Sequence, residues 1–99
     1  QTPSVEREVR LQPGAGVRYV VPHRLDAAQV AREDVRLQMR VRQPIERPVW
    51  IEARDGDRLV TRKAARYARP GEMLTLVLPQ KMYDEVRITD ELTIGVVER

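Results

Sequence analysis

The chain has 99 residues, a length that supports one domain with one hydrophobic core. With 41% apolar and 33% charged residues, the composition predicts a folded domain rather than a disordered segment. The absence of cysteine excludes disulfide bonds, thiolate nucleophiles and cysteine-ligated metal centres. The net charge is +3, but the arginines are interleaved with Asp and Glu, which favours a solvated mixed surface over a nucleic-acid interface.

The chain carries neither a long apolar run nor a signal-peptide pattern at its start. We therefore expect a cytoplasmic protein without a membrane segment. A single domain is predicted over residues 1–99. Because the chain begins Gln-Thr-Pro-Ser, without an initiator methionine, we expect it to be a piece of a longer protein.

Alternation of apolar and polar residues predicts two short strands at the front of the chain. Val5, Val9 and Leu11 mark the first strand, and a turn is expected at residues 13–14. The stretch GVRYVVPHR then predicts a second strand over residues 17–21, which ends at a proline and enters a loop.

The only helical pattern is DAAQVARED, residues 26–34, where Asp26 and Gln29 resemble a capping box. The clearest strand pattern follows in DVRLQMRVRQ, residues 34–43, which is apolar at every second position. The alternation therefore predicts a strand with one buried face.

The stretch PVWIEAR, residues 48–54, predicts another strand, and RLVTRKA follows it after Asp55-Gly56. An Asp-Gly pair between two extended runs favours a tight hairpin, because both central residues can take a positive φ. Trp50 is expected to pack over a sheet edge rather than to form a ligand platform.

Two apolar patterns occupy the C-terminal third of the chain. MLTLVLP, residues 73–79, is apolar on both faces and predicts an inner strand. Residues 86–96 are apolar at most even positions, which predicts one long strand or two strands broken near residues 89–91. About seven short strands in total predict an all-β fold, an antiparallel immunoglobulin-like or fibronectin-like sandwich without the Cys–Trp–Cys signature.

Residue types that carry catalysis are sparse. His23 is the only histidine and adjoins Pro22 at a strand end, where a loop role is favoured over a general base. The only serine, Ser4, lies near the start of the chain, and one imidazole with scattered carboxylates lacks metal-ligand spacing. The sequence therefore predicts no catalytic, cofactor-binding or metal-binding residues, and no activity is expected of this domain alone.

Two glycine-containing stretches are interpreted as turns. Gly14-Ala15-Gly16 lacks the third glycine and the following helix of a dinucleotide fingerprint. Residues 69–72, Arg-Pro-Gly-Glu, suit a type II turn with Pro and Gly at its centre.

The stretches GAGVRYVVPHR, residues 14–24, and RPGEM, residues 69–73, together resemble the small C-terminal region of bacterial FAD-dependent oxidoreductases with a pyridine-nucleotide-disulfide-oxidoreductase-like core. In those regions a G-x-R-Y-V-V-P-x strand precedes an arginine-rich alternating strand, a hairpin and a P-G-E-M turn. The same order is present over residues 8–78. His23 stands where the family has glutamine, and no family motif follows Lys81.

The resemblance implies a non-catalytic structural or interaction domain at the C-terminus of an FAD-dependent, NAD(P)-linked oxidoreductase. FAD and NAD(P) would then be held by an upstream part. The expected partner is that flavoprotein core, in the same chain or a partner subunit, with no nucleic acid and no membrane. The candidate docking surface comprises Tyr19, His23, Arg24, Arg69, Pro70, Gly71, Glu72 and Met73.

The alternative is a stand-alone β-sandwich module that binds protein or carbohydrate. A carbohydrate platform requires aromatic side chains clustered on one exposed face. The chain has four aromatic residues to supply it, namely Tyr19, Trp50, Tyr67 and Tyr83.

Overall fold

The computed structural model describes residues 8–86 and 88–99. These residues are mostly in β-strands, with short helical segments. The strands are β1 (Glu8–Pro13), β2 (Val17–Val21), β3 (Arg24–Asp26), β4 (Val35–Val41), β5 (Val49–Asp55), β6 (Arg58–Ala65), β7 (Leu74–Leu78) and β8 (Glu91–Glu98). The helices are α1 (Ala27–Arg32) and α2 (Tyr83–Val86), with a 3-10 turn at Gln80–Met82 before α2. Val5 and Ser4 lie outside the described residues.

The strands form two sheets. The five-stranded sheet has the order β3-β1-β8-β5-β6, and the three-stranded sheet has the order β2-β4-β7. Neighbouring strands are antiparallel except β1 and β8, which run parallel. Strands with one buried face are thus present, as predicted. The described residues, however, contain eight strands rather than about seven, and one pair of strands is parallel. The alternation of apolar and polar residues predicts a strand but not the strand with which it pairs. The parallel pairing of β1 with β8 was therefore not predictable from it.

One hydrophobic core lies between the two sheets. In β4 the residues at odd positions are buried and face it, as the alternation predicts. The largest fully buried side chains come from both sheets and include Leu37, Met39, Leu76, Ile51, Leu92 and Ile94. The apolar faces of the two sheets pack against each other, so the sheets share one core and neither sheet has a core of its own.

The predicted hairpin joins β5 to β6, with Asp55 opposite Arg58. Its two loop residues are Gly56 and Asp57, and only Gly56 has a positive φ, +62°. A positive φ at the first central residue alone is the feature of a type II′ turn. The hairpin is therefore confirmed, with its two-residue turn at Gly56-Asp57 rather than at the predicted Asp55-Gly56 pair.

Helix α1 lies inside the predicted range, and Asp26 caps it. The Oδ1 atom of Asp26 accepts a hydrogen bond from the Ala28 amide at 3.0 Å. The predicted reciprocal contact is not made, because the Gln29 side chain donates instead to the Glu33 carboxylate at 3.2 Å. The helix thus begins with a single side-chain cap rather than a capping box.

Two predictions for the C-terminal third are wrong. Strand β7 is at an edge of its sheet rather than inside it, and the Lys63 ammonium of β6 donates to the Thr75 carbonyl beside that edge at 3.3 Å. Val86 ends α2 instead of starting a strand, and Ile88 is 62% exposed. The apolar composition of β7 does not distinguish an edge strand from an inner strand. In the same way, the apolar side chain of Val86 does not distinguish a helical position from an extended one.

The segment Gly14-Ala15-Gly16 carries the chain from one sheet to the other. The Gly14 amide donates to Ile94 and the Val96 amide donates to Ala15, which extends the pairing of β1 with β8. The Gly16 carbonyl then accepts from the Arg42 amide beside β4. The expected turn is present here, and a strand follows it.

The molecule has two distinct ends. At the helical end, α1, α2 and the 3-10 turn pack together, and the Gln80 side chain donates to the Ala31 carbonyl. At the loop end, the β4–β5 loop (residues 42–48) lies against the β6–β7 segment (residues 66–73) through two backbone hydrogen bonds between Ile45 and Ala68.

Candidate functional site

The two stretches that carry the resemblance meet at Arg40. Tyr19 of β2 lies opposite Arg40 of β4 in the register of the three-stranded sheet. The Nη1 atom of Arg40 donates to the Pro70 carbonyl at 3.2 Å. Because Met39 and Val41 point into the core, the Arg40 side chain lies on the outer face of the sheet. Tyr19 and the 69–73 segment thus both lie beside Arg40, Tyr19 as its cross-strand neighbour and Pro70 as the acceptor of its hydrogen bond.

Arg69 fixes the 69–72 turn to the β4–β5 loop. Its Nε and Nη2 atoms donate to the two carboxylate oxygens of Glu46 at 3.0 and 3.1 Å, and its Nη1 atom donates to Glu72 at 3.4 Å. Its guanidinium carbon lies 4.0 Å from the centre of the Tyr67 ring. This two-point geometry is the strong form of an arginine–carboxylate contact.

The Arg69 hydrogen bonds lower the pKa of the Glu46 carboxyl below its ordinary value. The same hydrogen bonds, with a smaller contribution from Glu72, raise the pKa of Arg69. Arg69 was predicted to belong to a docking surface, and the structure gives it two carboxylate partners within its own chain.

The 69–72 turn is closed by a hydrogen bond from the Glu72 amide to the Arg69 carbonyl at 3.0 Å. Gly71 does not have the positive φ that a type II turn requires at this position. The type II assignment is therefore wrong, although a turn is present with Pro70 at its second position. Gly71 and Met73 are exposed, and Met73 is the large apolar side chain at this tip.

His23 and Arg24 lie apart from that turn. The His23 carbonyl accepts from the Leu11 amide at 2.7 Å, and the Arg24 guanidinium lies 3.5 Å from the Glu8 carboxylate in an exposed ion pair. Both contacts are with β1 of the five-stranded sheet. The register of β2 on β4 runs from Arg40 toward Gln38, so the chain leaves β2 toward the helical end. The eight predicted docking residues are thus divided into two groups.

A cleft of about 610 Å³ opens at the loop end, beside the 69–72 turn. It is lined by Gly16, Arg42, Gln43, Pro44, Ile45, Glu46, Arg47 and Glu98. The Arg47 guanidinium donates to Glu98 at 3.1 Å, which connects the loop to the end of β8. Sequence reasoning did not single out this loop. The prolines at positions 44 and 48 were the available signal of a restricted connection.

The four aromatic residues do not share a face. Tyr19 lies on the outer face of the three-stranded sheet, Tyr67 lies under Arg69, and Tyr83 packs against the core from α2. Trp50 is half-buried on β5, which lies between β6 and β8 rather than at an edge. This arrangement does not favour a carbohydrate platform.

Trp50 is covered by two arginines. The guanidinium carbons of Arg62 and Arg99 lie 3.9 and 4.8 Å from its ring centre. Next to it on the same face, the buried carboxylate of Glu52 accepts from Arg54 at 2.9 Å, and this hydrogen bond raises the pKa of Arg54. Sequence reasoning did not identify this pair, because a strand glutamate on a polar face predicts exposure.

The part of the chain that the structure describes has neither a cluster of metal ligands nor a membrane-spanning helix. There, no three histidine, aspartate or glutamate side chains converge as metal ligands would. None of the helices of this part has the length and apolarity needed to cross a bilayer. The bend at residues 14–16 leads into β2, so it does not fit the strand-to-helix turn that holds a dinucleotide phosphate.

Comparison with known proteins gave no relative. No protein-family model matches the chain, and no curated protein or solved structure matches it significantly.

Proposed function

We propose that this chain is a non-catalytic structural and interaction domain at the C-terminus of a cytoplasmic FAD-dependent, NAD(P)-linked oxidoreductase. We assign the two-sheet architecture to an immunoglobulin-like or fibronectin-like sandwich. The flavin and the nicotinamide are held by the upstream flavoprotein core, and this domain packs on that core or on a partner subunit.

The observation that carries the proposal is the convergence of the two family-like stretches on Arg40. Tyr19 of the first stretch is the cross-strand neighbour of Arg40, and Pro70 of the second stretch accepts a hydrogen bond from the Arg40 side chain. Arg40 itself belongs to the arginine-rich alternating strand that the family order expects between the two stretches. Three separate pieces of the resemblance therefore support one another on a single face of the domain.

The reading frame upstream of this chain tests the proposal. We expect it to encode a strand followed by a Gly-x-Gly-x-x-Gly turn and a helix, the flavin fingerprint. We also expect the full-length protein to purify with the absorption bands of FAD, and the 99-residue chain to purify without them. An upstream frame that lacks the fingerprint, or a flavin bound to the 99 residues alone, would contradict the proposal.

A further inference from the structure

The outer face of the three-stranded sheet carries arginines without acidic partners. Alternation and register place seven residues of β2, β4 and β7 on this face, and Arg18 joins them at a bulge where it and Tyr19 together oppose Arg40. We call this surface the arginine face. It comprises Arg18, Tyr19, Val21, Arg36, Gln38, Arg40, Thr75 and Val77.

The charges of the two sheets differ. Strands β2, β4 and β7 contain three arginines and no acidic residue. No ion pair among the described residues involves these arginines, and Arg40 is bound only to a carbonyl. On the five-stranded sheet, by contrast, acids of the same domain pair with Arg10, Arg24, Arg54 and Arg58. Within the described residues, the arginines of the arginine face therefore have no acidic partner.

The acidic residues that precede β4 and β7 in the chain are already engaged. Asp34 precedes β4 and accepts from the Gln80 amide at 2.8 Å, and Glu72 precedes β7 and accepts from Arg69. Between the arginines lie Tyr19, Val21 and Val77, all half-buried. Arginine and tyrosine are among the residues enriched at the core of protein interfaces.

We infer that the arginine face binds a surface rich in carboxylates on the flavoprotein core. The inference rests on the proposed function for the identity of that partner. Guanidinium groups meet carboxylates with two-point geometry, and complementary charge selects the docked orientation. A protein partner is favoured over a nucleic acid, since three arginines separated by apolar residues offer few of the phosphate contacts that nucleic-acid binding requires.

The test is charge reversal in the full-length protein. Arg18→Glu with Arg36→Glu changes two exposed residues whose side chains have no hydrogen bond or ion pair with the rest of the described chain. The matched control is Arg32→Glu with Lys81→Glu, which makes the same change of charge at the helical end. The readouts are the rate of protease cleavage at the junction upstream of residue 8, at low and high salt, and the melting temperature of each 99-residue variant.

The arginine-face variant should be cleaved faster than the wild type, by on the order of tenfold, while the control variant is not. High salt should accelerate cleavage of the wild type and reduce the difference, because the attraction is screened. The melting temperatures of both 99-residue variants should stay close to that of the wild type. Equal cleavage of all three proteins overturns the inference, and so does a melting temperature lowered in the arginine-face variant alone.

Flavin absorption separates the inference from the proposed function. Unchanged cleavage in a protein that contains FAD overturns the arginine face and leaves the function standing. Faster cleavage in a protein without flavin supports an acidic partner surface and overturns the function. Submicromolar binding of a 20-base-pair DNA duplex to the wild-type chain at about 0.15 M salt would overturn the choice of a protein partner. A reading frame with no upstream segment would overturn both the inference and the proposed function.

Discussion

Arginine side chains make several of the contacts that hold the loop end together. Arg69 reaches Glu46, Glu72 and the Tyr67 ring, and Arg40 reaches the Pro70 carbonyl. A planar guanidinium can bind two oxygens and stack on a ring at once, which an ammonium group cannot do. The segment that resembles the flavoprotein tail is thereby held in one position by residues of the domain itself.

The Glu46–Arg69 contact predicts a pH-dependent contribution to stability. The folded pKa of Glu46 lies below its ordinary value of 4.5, so its contribution is present above that pH. It is lost as the pH falls through the lower, folded pKa. The melting temperature of Glu46→Gln should therefore lie below that of the wild type at pH 7, and the gap should close as the pH falls below about 4.5.

The matched control for this prediction is the Arg69→Met background, where Glu46→Gln should change the melting temperature little at either pH. A gap between wild type and Glu46→Gln that is constant from neutral to acid pH would show that the contact does not act through the charge of Glu46.

Gly56 is required at its position for conformational reasons alone. Its φ is +62°, and a Cβ atom built on it would have no heavy atom within 4 Å. Gly56→Val should lower the free energy of unfolding by about 1–2 kcal/mol, because a β-branched residue is strained at this φ. Urea unfolding measures the change. Gly71→Val is the control, since Gly71 has equally open surroundings without a positive φ, and an equal loss in both variants would contradict the argument.

At the scale of elements, the bend between β1 and β2 determines how the two sheets are joined. A Cβ atom on Gly14 would lie 2.5 Å from the Thr93 Cγ2 atom and 3.2 Å from the Ile94 carbonyl oxygen. The backbone of the bend therefore lies directly on β8, where its amides and carbonyls continue the parallel pairing. This close approach explains why a glycine follows Pro13.

Gly14→Ala should destabilise the domain by about 1–3 kcal/mol, the cost of forcing an extra methyl into a packed site. Thr93→Ser removes the Cγ2 atom that the new methyl would meet. The double variant should therefore recover part of the loss, and the contact with the Ile94 carbonyl should prevent full recovery. Thermal unfolding of the four proteins measures the coupling, and additive losses would show that Thr93 is not the obstacle.

At the scale of the whole molecule, the two sheets depend on one another because they share one core. Leu37 is fully buried in the middle strand of the three-stranded sheet, and Ile51 faces the same core from the five-stranded sheet. Trp50, the only tryptophan, lies on the outer face of the five-stranded sheet and reports on that sheet. Destabilisation of the three-stranded sheet should therefore change the unfolding transition reported by Trp50 in the five-stranded sheet.

Leu37→Ala should lower the free energy of unfolding by about 2–5 kcal/mol, from lost burial and the cavity left behind. The urea midpoints from Trp50 fluorescence and from far-ultraviolet circular dichroism should move together by the same amount. A fluorescence midpoint that stays at the wild-type value while the dichroism midpoint falls would mean that the sheets unfold separately.

Three local features were predictable from the sequence, namely the alternation in β4 and β5, the Asp26 cap and the hairpin at Gly56. Each depends on residues within one turn or one strand, and local periodicity reports such features directly. The candidate docking surface was predictable only in part. Tyr19 and the 69–73 segment both lie beside Arg40, whose position in the alternating strand predicts no more than an outward-facing side chain.

By itself the sequence determined most of the extended segments, the position of the β5–β6 hairpin and the buried face of β4, because these are properties of neighbouring residues. Only the tertiary structure decided that β8 lies parallel to β1, that β7 is an edge strand and that Arg69 is bound by Glu46. Strand pairing and side-chain ion pairs join residues far apart in the chain, and the pattern of one strand does not name its neighbour. The same reason explains the arginine face, since its arginines form one surface only once β2, β4 and β7 lie side by side.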